Sequence, residues 1–197
     1  MSPIIVRADE IEPVPWRNGG GVTRELLAWP DARDWSVRVS VADITASGPF
    51  SDFPGVERWF AVLAGGAVRL ATAGMEPRQL DASQAALHRF SGDTPTYCTA
   101  LGPATRDCNI MLRRAHGRLE QRPLARCAEL ESRADAVGLF AADPVSVAQV
   151  GGEPWQLPAV TLAWWSNPRR AALRLRLAAP ARRGWWIEVR KGAAPQD

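Results

Sequence analysis

Residues 48–66 constrain this chain more than any other stretch: Gly-Pro-Phe-Ser-Asp-Phe-Pro-Gly-Val-Glu-Arg-Trp-Phe-Ala-Val-Leu-Ala-Gly-Gly. Gly48-Pro49 and Pro54-Gly55 bracket a short, tight loop. Residues 59–64 follow as an apolar run. Phe60 and Val62 fall on one face of a strand, and Trp59, Ala61 and Leu63 on the other. A strand that is apolar on both faces fits a sandwich or a filled barrel better than an open sheet. Gly65-Gly66 then suits a hairpin turn that needs positive φ, and residues 67–71 are expected to run back as the partner strand.

The rest of the chain repeats this grammar of short strands and breakers. Residues 3–7 read as an edge strand, given Pro3. Residues 16–21 form a loop with three successive glycines, which permit close approach of a ligand or of another strand. Residues 22–29 follow as a strand. Residues 31–34 are a turn. Residues 35–42 alternate cleanly: Trp35, Val37, Val39 and Val41 on one face, Ser36, Arg38, Ser40 and Ala42 on the other. That second face either lines a cavity or meets water. Residues 80–87 read as a short strand and residues 88–93 as a turn. Residues 96–101 and 107–113 read as two further strands, the latter with Asp107, Asn109, Met111 and Arg113 on one face and Cys108, Ile110 and Leu112 on the core side.

Residues 115–128 are basic and interrupted, and read as a connection between two domains, 1–115 and 116–197. Strands are expected in the second half at 136–141, 145–150, 161–165, 171–178 and 185–190. Asp143-Pro144, Gly151-Gly152 and Asn167-Pro168 read as turns. No sequence repeat links the halves.

Composition excludes several functions. The 197 residues carry a net charge of +3, and 46% are hydrophobic, as in ordinary globular proteins. The arginine doublets 113–114, 169–170 and 182–183 are isolated, so no nucleic-acid arm is present. No secretory signal pattern and no apolar run of membrane-spanning length is seen. Three cysteines without CxxC spacing fit reduced thiols in the cytoplasm. Most of the nine tryptophans are expected in packing. His88 and His116 are the two histidines, and neither has a second ligand at metal spacing. No Gly-x-Ser-x-Gly elbow occurs, although a Ser–His or Cys–His pair can meet in space alone.

The loop and strand at 48–66 resemble the first signature of the cupin barrel, which has two histidines, a glutamate and a glycine at fixed offsets. Counting back from Gly65 puts Arg58 at the glutamate. Asp52 and Pro54, or Ser51 and Phe53, stand at the histidines. Gly92 of the second signature puts Pro95 at the fourth ligand. Residues 16–25 (Trp-Arg-Asn-Gly-Gly-Gly-Val-Thr-Arg-Glu), 35–42, 48–58 and 102–114 also resemble, in order, four motifs of the HutD/Ves family. That resemblance implies an all-β bicupin of two packed barrels, the second degenerate. It also implies a link to histidine utilisation and a small ligand such as formylglutamate.

The candidate site follows from these motifs, with no cofactor, no metal and no catalytic residue assigned. Arg58 is the sharpest candidate, since a guanidinium pairs a carboxylate with two bonds. Its alternative is a salt bridge with Glu57, Glu25 or Asp107. Asn109 could orient an amide or formyl group. Phe53 could form an apolar wall, with Met111 and Ser40 on the pocket side. Trp16, Asn18 and Thr23 would close one mouth, or pack and cap their own loop. The expected activity is metal-independent binding of a small anionic metabolite in the cytoplasm, with a regulatory role. A cofactor-independent isomerase or hydrolase is the alternative. Neither nucleic acid nor membrane is an expected partner, and pairing as a homodimer is left open.

Overall fold

The first strand, β1 (Ile4–Arg7), pairs antiparallel with residues 161–164 and so joins the far end of the chain. The chain divides into two compact units, Ile11–His116 and a second made of Met1–Glu10 with Gly117–Asp197. Residues 1–10, expected in the first domain, group with the second unit. The computed structural model describes residues 2–167, 169–178 and 183–192. Pro168 of the expected turn and Arg182 of the last doublet lie outside them. The described residues are almost wholly β, with three 3-10 turns at Ala8–Glu10, Arg114–His116 and Leu124–Arg126.

The first unit contains β2 (Val14–Pro15), β3 (Gly21–Trp29), β4 (Val37–Ile44), β5 (Gly48–Pro49), β6 (Val56–Thr72), β7 (Arg78–Asp81), β8 (His88–Ser91) and β9 (Thr96–Arg113). Its sheet runs β2-β3-β4-β9-β6-β7, with β5 on β9 and β8 on β6. Both faces of β6 are buried, as its two apolar parities require: Phe60 and Val62 on one, Trp59, Ala61 and Leu63 on the other. Phe60 and Val62 pack with Ile44, Val68, Leu70, Leu80, Phe90 and Cys98.

Gly65-Gly66 make no hairpin. β6 continues through them to Thr72 and stays paired with β9, whose two expected strands are likewise one. The pair bends as a unit. Its register shifts between Val62 and Ala64 and again between Gly65 and Ala67. Gly65 takes φ 90° and Gly102 φ 108°. A Cβ on Gly65 would lie 2.0 Å from the Ala104 carbonyl oxygen, and one on Gly66 2.5 Å from that of Pro103. The glycines thus serve a bulged, close strand pair, for which the sequence signal resembles that of a turn.

Three other expectations change. Residues 88–93, expected as a turn, begin with β8, which pairs antiparallel with β6. β7 ends at Asp81, so residues 80–87 are not a strand. The Asp81 carboxylate accepts bonds from the Ser83 amide and hydroxyl, which folds the chain away from the sheet. Nor are residues 115–128 a mere connection, because they contain β10 (Gly117–Pro123).

The second unit continues with β11 (Glu129–Ser132), β12 (Ala136–Ala141), β13 (Val145–Gln149), β14 (Trp155–Leu157), β15 (Thr161–Ser166), β16 (Leu173–Leu177) and β17 (Gly184–Lys191). One sheet runs β1-β15-β12-β17-β10 and the other β11-β16-β13-β14. Val137, Leu139, Trp165 and Trp186 of the first sheet share one core with Leu130, Val147, Leu157 and Leu175 of the second. Leu173, Leu175 and Leu177 point inward while Arg174 and Arg176 are exposed, the half-buried alternation the sequence shows.

Candidate functional site

Residues opposite one another in an antiparallel ladder share a face. Arg58 lies opposite Met111, Phe60 opposite Asn109, and Val62 opposite Asp107. On the next strand Ser40 lies opposite Asn109 and Arg38 opposite Met111. One face of the first unit therefore carries Arg58, Asn109, Ser40 and Asp107 among apolar neighbours.

Arg58 is only 6% exposed. Its Nε and Nη2 donate to Asn109 Oδ1 at 3.4 and 3.2 Å, and its Nη1 donates to the Ser51 carbonyl at 3.4 Å. Phe90, Phe50 and Phe53 surround the guanidinium, with ring centroids 4.9, 5.0 and 5.5 Å from its central carbon. Three of the chain's five phenylalanines thus enclose one charge. The three expected ion-pair partners are engaged elsewhere: Glu57 with Arg89, Glu25 with Arg38, and Asp107 with the Thr105 hydroxyl. Among the described residues Arg58 has no carboxylate partner. Burial lowers its pKa to about 10, so it stays charged at neutral pH. A guanidinium has five N–H donors, and here long bonds to neutral acceptors are all that meet them. Ring contacts offset part of the desolvation cost, at about 0.5–2 kcal/mol each.

The loop that brings Phe53 over Arg58 is braced at several points. The Phe53 amide donates to Gly92 O, and the Gly92 amide donates back to Val56 O, both at 2.8 Å. A Cβ on Gly92 would lie 2.6 Å from Phe53 O, so the close approach requires glycine. The Gly55 amide donates to Asp93 Oδ1 at 2.7 Å, and Arg114 bonds both the Val56 carbonyl and the Asp93 carboxylate. The Gly55 amide, the Ser91 hydroxyl and Arg114 together hold the Asp93 carboxyl down at about 2.

The remaining candidates separate. Met111 packs with Trp35 and Val56, beside Phe53. Trp16 Nε1 donates to Thr23 Oγ1 at 2.7 Å, and the Trp16 ring packs against the Phe60 cluster beside Phe50. Asn18 is exposed and caps its own turn, its Oδ1 accepting from the Gly20 amide at 3.0 Å. The triple glycine approaches a strand: a Cβ on Gly21 would lie 2.4 Å from Asp43 O and 3.3 Å from the Trp16 ring. Gly21→Ala is expected to cost about 1–3 kcal/mol of stability by overpacking. An unchanged urea midpoint would contradict this tight contact.

Phe50, Phe90 and the Ser51 carbonyl were not foreseen as site groups. Phe90 meets Arg58 through the β6–β8 register, which places the two opposite each other and which no local motif announces. Asp107 has a larger part than expected. It is fully buried, and its Oδ1 has no partner. Burial raises its pKa to about 7, with Asp43 adding to the rise and the Thr105 hydrogen bond opposing it. Ser36 and His116 do meet, Oγ to Nδ1 at 3.0 Å. Among the described residues no acid bonds the imidazole, so this pair ties the end of β9 to the start of β4.

A cavity of about 410 Å³ is lined in part by Phe50, which Arg58 also contacts, and by Asp52 and Pro95. These are two of the cupin metal-ligand positions. Proline has no side-chain donor atom and Arg58 is a cation, so this set does not fit a divalent metal. Among the described residues no three His, Cys, Asp or Glu side chains gather where they could hold one. No helix among those residues is long and apolar enough to cross a membrane.

The HutD family model matches residues 8–183. An uncharacterized 21.2 kDa protein of the hutC 3' region of Pseudomonas putida is 36% identical over 158 residues, covering 78% of this chain and 81% of that one. Protein Ves of Citrobacter koseri is 43% identical over 101 residues, covering 50% of this chain and 52% of that protein, about half its length. A conserved protein of unknown function from Pseudomonas aeruginosa PAO1, PA5104, superposes with TM-score 0.81 at 32% identity, covering 97% of this chain and 100% of that one. HutD of Pseudomonas fluorescens SBW25, solved in a formate condition, superposes with TM-score 0.83 at 25% identity, covering 98% and 100%. Oxalate decarboxylase of Bacillus subtilis shares the fold alone, with TM-score 0.60 at 7% identity, over 98% of this chain and 79% of that one. The architecture is cupin-like.

Proposed function

This chain belongs to the HutD family, and from that premise we propose that it binds a small carboxylate metabolite at Arg58 without a metal. One observation carries the reading: Arg58 is buried among three phenyl rings with only neutral hydrogen-bond acceptors. A buried cation without a counter-charge is costly, and a ligand carboxylate relieves that cost with two parallel bonds. Asn109 keeps its amide N–H groups for a formyl or amide oxygen. Ser40, Met111 and Phe53 complete the surroundings, and Trp16 with Thr23 forms the neighbouring wall. N-formylglutamate, or a similar small acyl amino acid, fits this set. The formate condition of the Pseudomonas fluorescens HutD structure concerns the smallest carboxylate of the class. In this reading the protein acts in the cytoplasm, in a regulatory role in histidine utilisation, and the hutC 3' region of the Pseudomonas putida relative supports the last of these alone. In this reading each unit is a cupin-like barrel, and the second is degenerate.

Calorimetry with N-formylglutamate tests the proposal. Arg58→Ala is expected to weaken binding by about one to two decades, the worth of a charge-assisted bond of roughly 1.5–3 kcal/mol. Arg58→Met keeps most of the volume and should lose affinity similarly. If wild type binds no small carboxylate, the proposal fails. If both variants bind like wild type, the ligand sits elsewhere.

A second reading, cofactor-independent catalysis, draws on Asp107, a buried acid poised near neutrality two residues from Asn109 on the same face. Proton NMR of wild type with N-formylglutamate separates the two: turnover that Asp107→Asn abolishes would favour the enzyme.

A further inference from the structure

The cavity lined by Phe50 has a chemistry opposite to that of Arg58. Six of the residues lining its roughly 410 Å³ carry the argument: Phe50, Asp52, Thr72, Pro95, Thr96 and Tyr97. The size suits a small organic molecule. Its walls are aromatic rings and proline, and its one charged lining residue is Asp52. Asp52 is exposed, and among the described residues its carboxylate accepts no hydrogen bond and forms no ion pair.

Several donors around the cavity are already committed. The Phe50 amide donates to Thr96 O at 2.9 Å, and the Ala73 amide donates to Pro95 O at 3.1 Å. Thr96 Oγ1 donates to Thr94 O at 3.1 Å. A hydroxyl has one proton, so in the Thr72–Thr96 contact of 3.1 Å Thr72 is the donor. What the threonines and Asp52 still offer a ligand is acceptor capacity, in hydroxyl lone pairs and carboxylate oxygens, while the Tyr97 hydroxyl can accept or donate. Aromatic faces beside a carboxylate attract a cation. One force opposes this. The Arg58 guanidinium carbon lies 5.0 Å from the Phe50 centroid, and its charge repels a cation bound beside that ring. Arg58 contributes no atom to the cavity wall, however, whereas Asp52 does.

We propose that this cavity is a second ligand site, for a small organic cation with N–H donors, of the primary ammonium class, held by Asp52 between Phe50 and Tyr97. Tyr97 is the single tyrosine of the chain, so protein labelled with 3-fluorotyrosine gives one fluorine resonance at the cavity. The probes are butylammonium and pentanoate, nearly equal in size and opposite in charge. Titrations are run in wild type and in Arg58→Met, which removes the proposed carboxylate site and so keeps the two proposals separable. Butylammonium is expected to shift the Tyr97 signal saturably in both proteins. Asp52→Asn should weaken it about threefold to fivefold, the range an ion pair at an exposed mouth supports. Pentanoate should leave the signal unmoved in Arg58→Met. Three results would each overturn the assignment: no saturable shift with butylammonium, equal affinity in Asp52→Asn, or a pentanoate shift that survives in Arg58→Met.

Discussion

Asp107→Asn is expected to raise the unfolding free energy at pH 8 by about 4 kcal/mol while changing it little at pH 4. The folded-state pKa of Asp107 is raised to about 7 from an ordinary value of 3.8. Between those values the folded protein holds a proton that the unfolded chain has released, so stability falls as pH rises through that window. Below it both states are protonated and the penalty vanishes; above it the full cost applies. Asparagine is nearly isosteric and neutral, and its amide oxygen can still accept from Thr105. Carboxylates held low by arginines, Asp43 among them, tilt the total curve the other way. The informative quantity is therefore the difference between the variant and wild type, from urea unfolding at pH 4, 6 and 8. A difference that stays flat across that range would mean Asp107 is ionised in the folded protein throughout.

Arg58→Met is expected to stabilise the ligand-free protein by about 1–4 kcal/mol, the gain seen when buried ionic groups give way to apolar ones of similar size. Methionine needs no counter-ion and can fill the space between Phe50, Phe53 and Phe90. The same variant should lose any rise in melting temperature on adding a small carboxylate. More stability with less binding is what a strained functional residue produces. A structural arginine would give the reverse: lower stability and unaltered ligand response.

Legibility in the sequence followed the range of the interactions. The two-sided burial of residues 59–63 is a property of one strand, and its composition states it. The inward position of Arg58 could be read from its offset to Gly65 in the cupin-like signature. Gly65-Gly66 misled because two glycines suit a hairpin and a bulge equally. What selects the bulge is Gly102-Pro103-Ala104 against them, a contact made far along the chain. β10 escaped notice because Leu119 is its single buried residue, among charged and polar neighbours. Its strand character comes from pairing with β17. The phenyl cage of Arg58 was hidden for the same reason, since Phe50, Phe53 and Phe90 converge only once three segments are in place.

The affiliation of β1 bears on how this protein is made. Every strand of the first unit comes from one unbroken segment, so that unit can complete its pairing while the ribosome is still translating the remainder. The strand β1 cannot. Ile4–Arg7 must wait for their partner, Thr161–Trp164, roughly 150 residues later. Throughout that interval Ile4 and Ile5, which stay 59% and 48% exposed even in the finished fold, belong to an unpaired segment of the nascent chain. Such a segment is open to chaperones and to pairing with a neighbouring nascent chain on the same message. The order of synthesis, more than the final stability, then sets the window in which this protein is most exposed to misassembly.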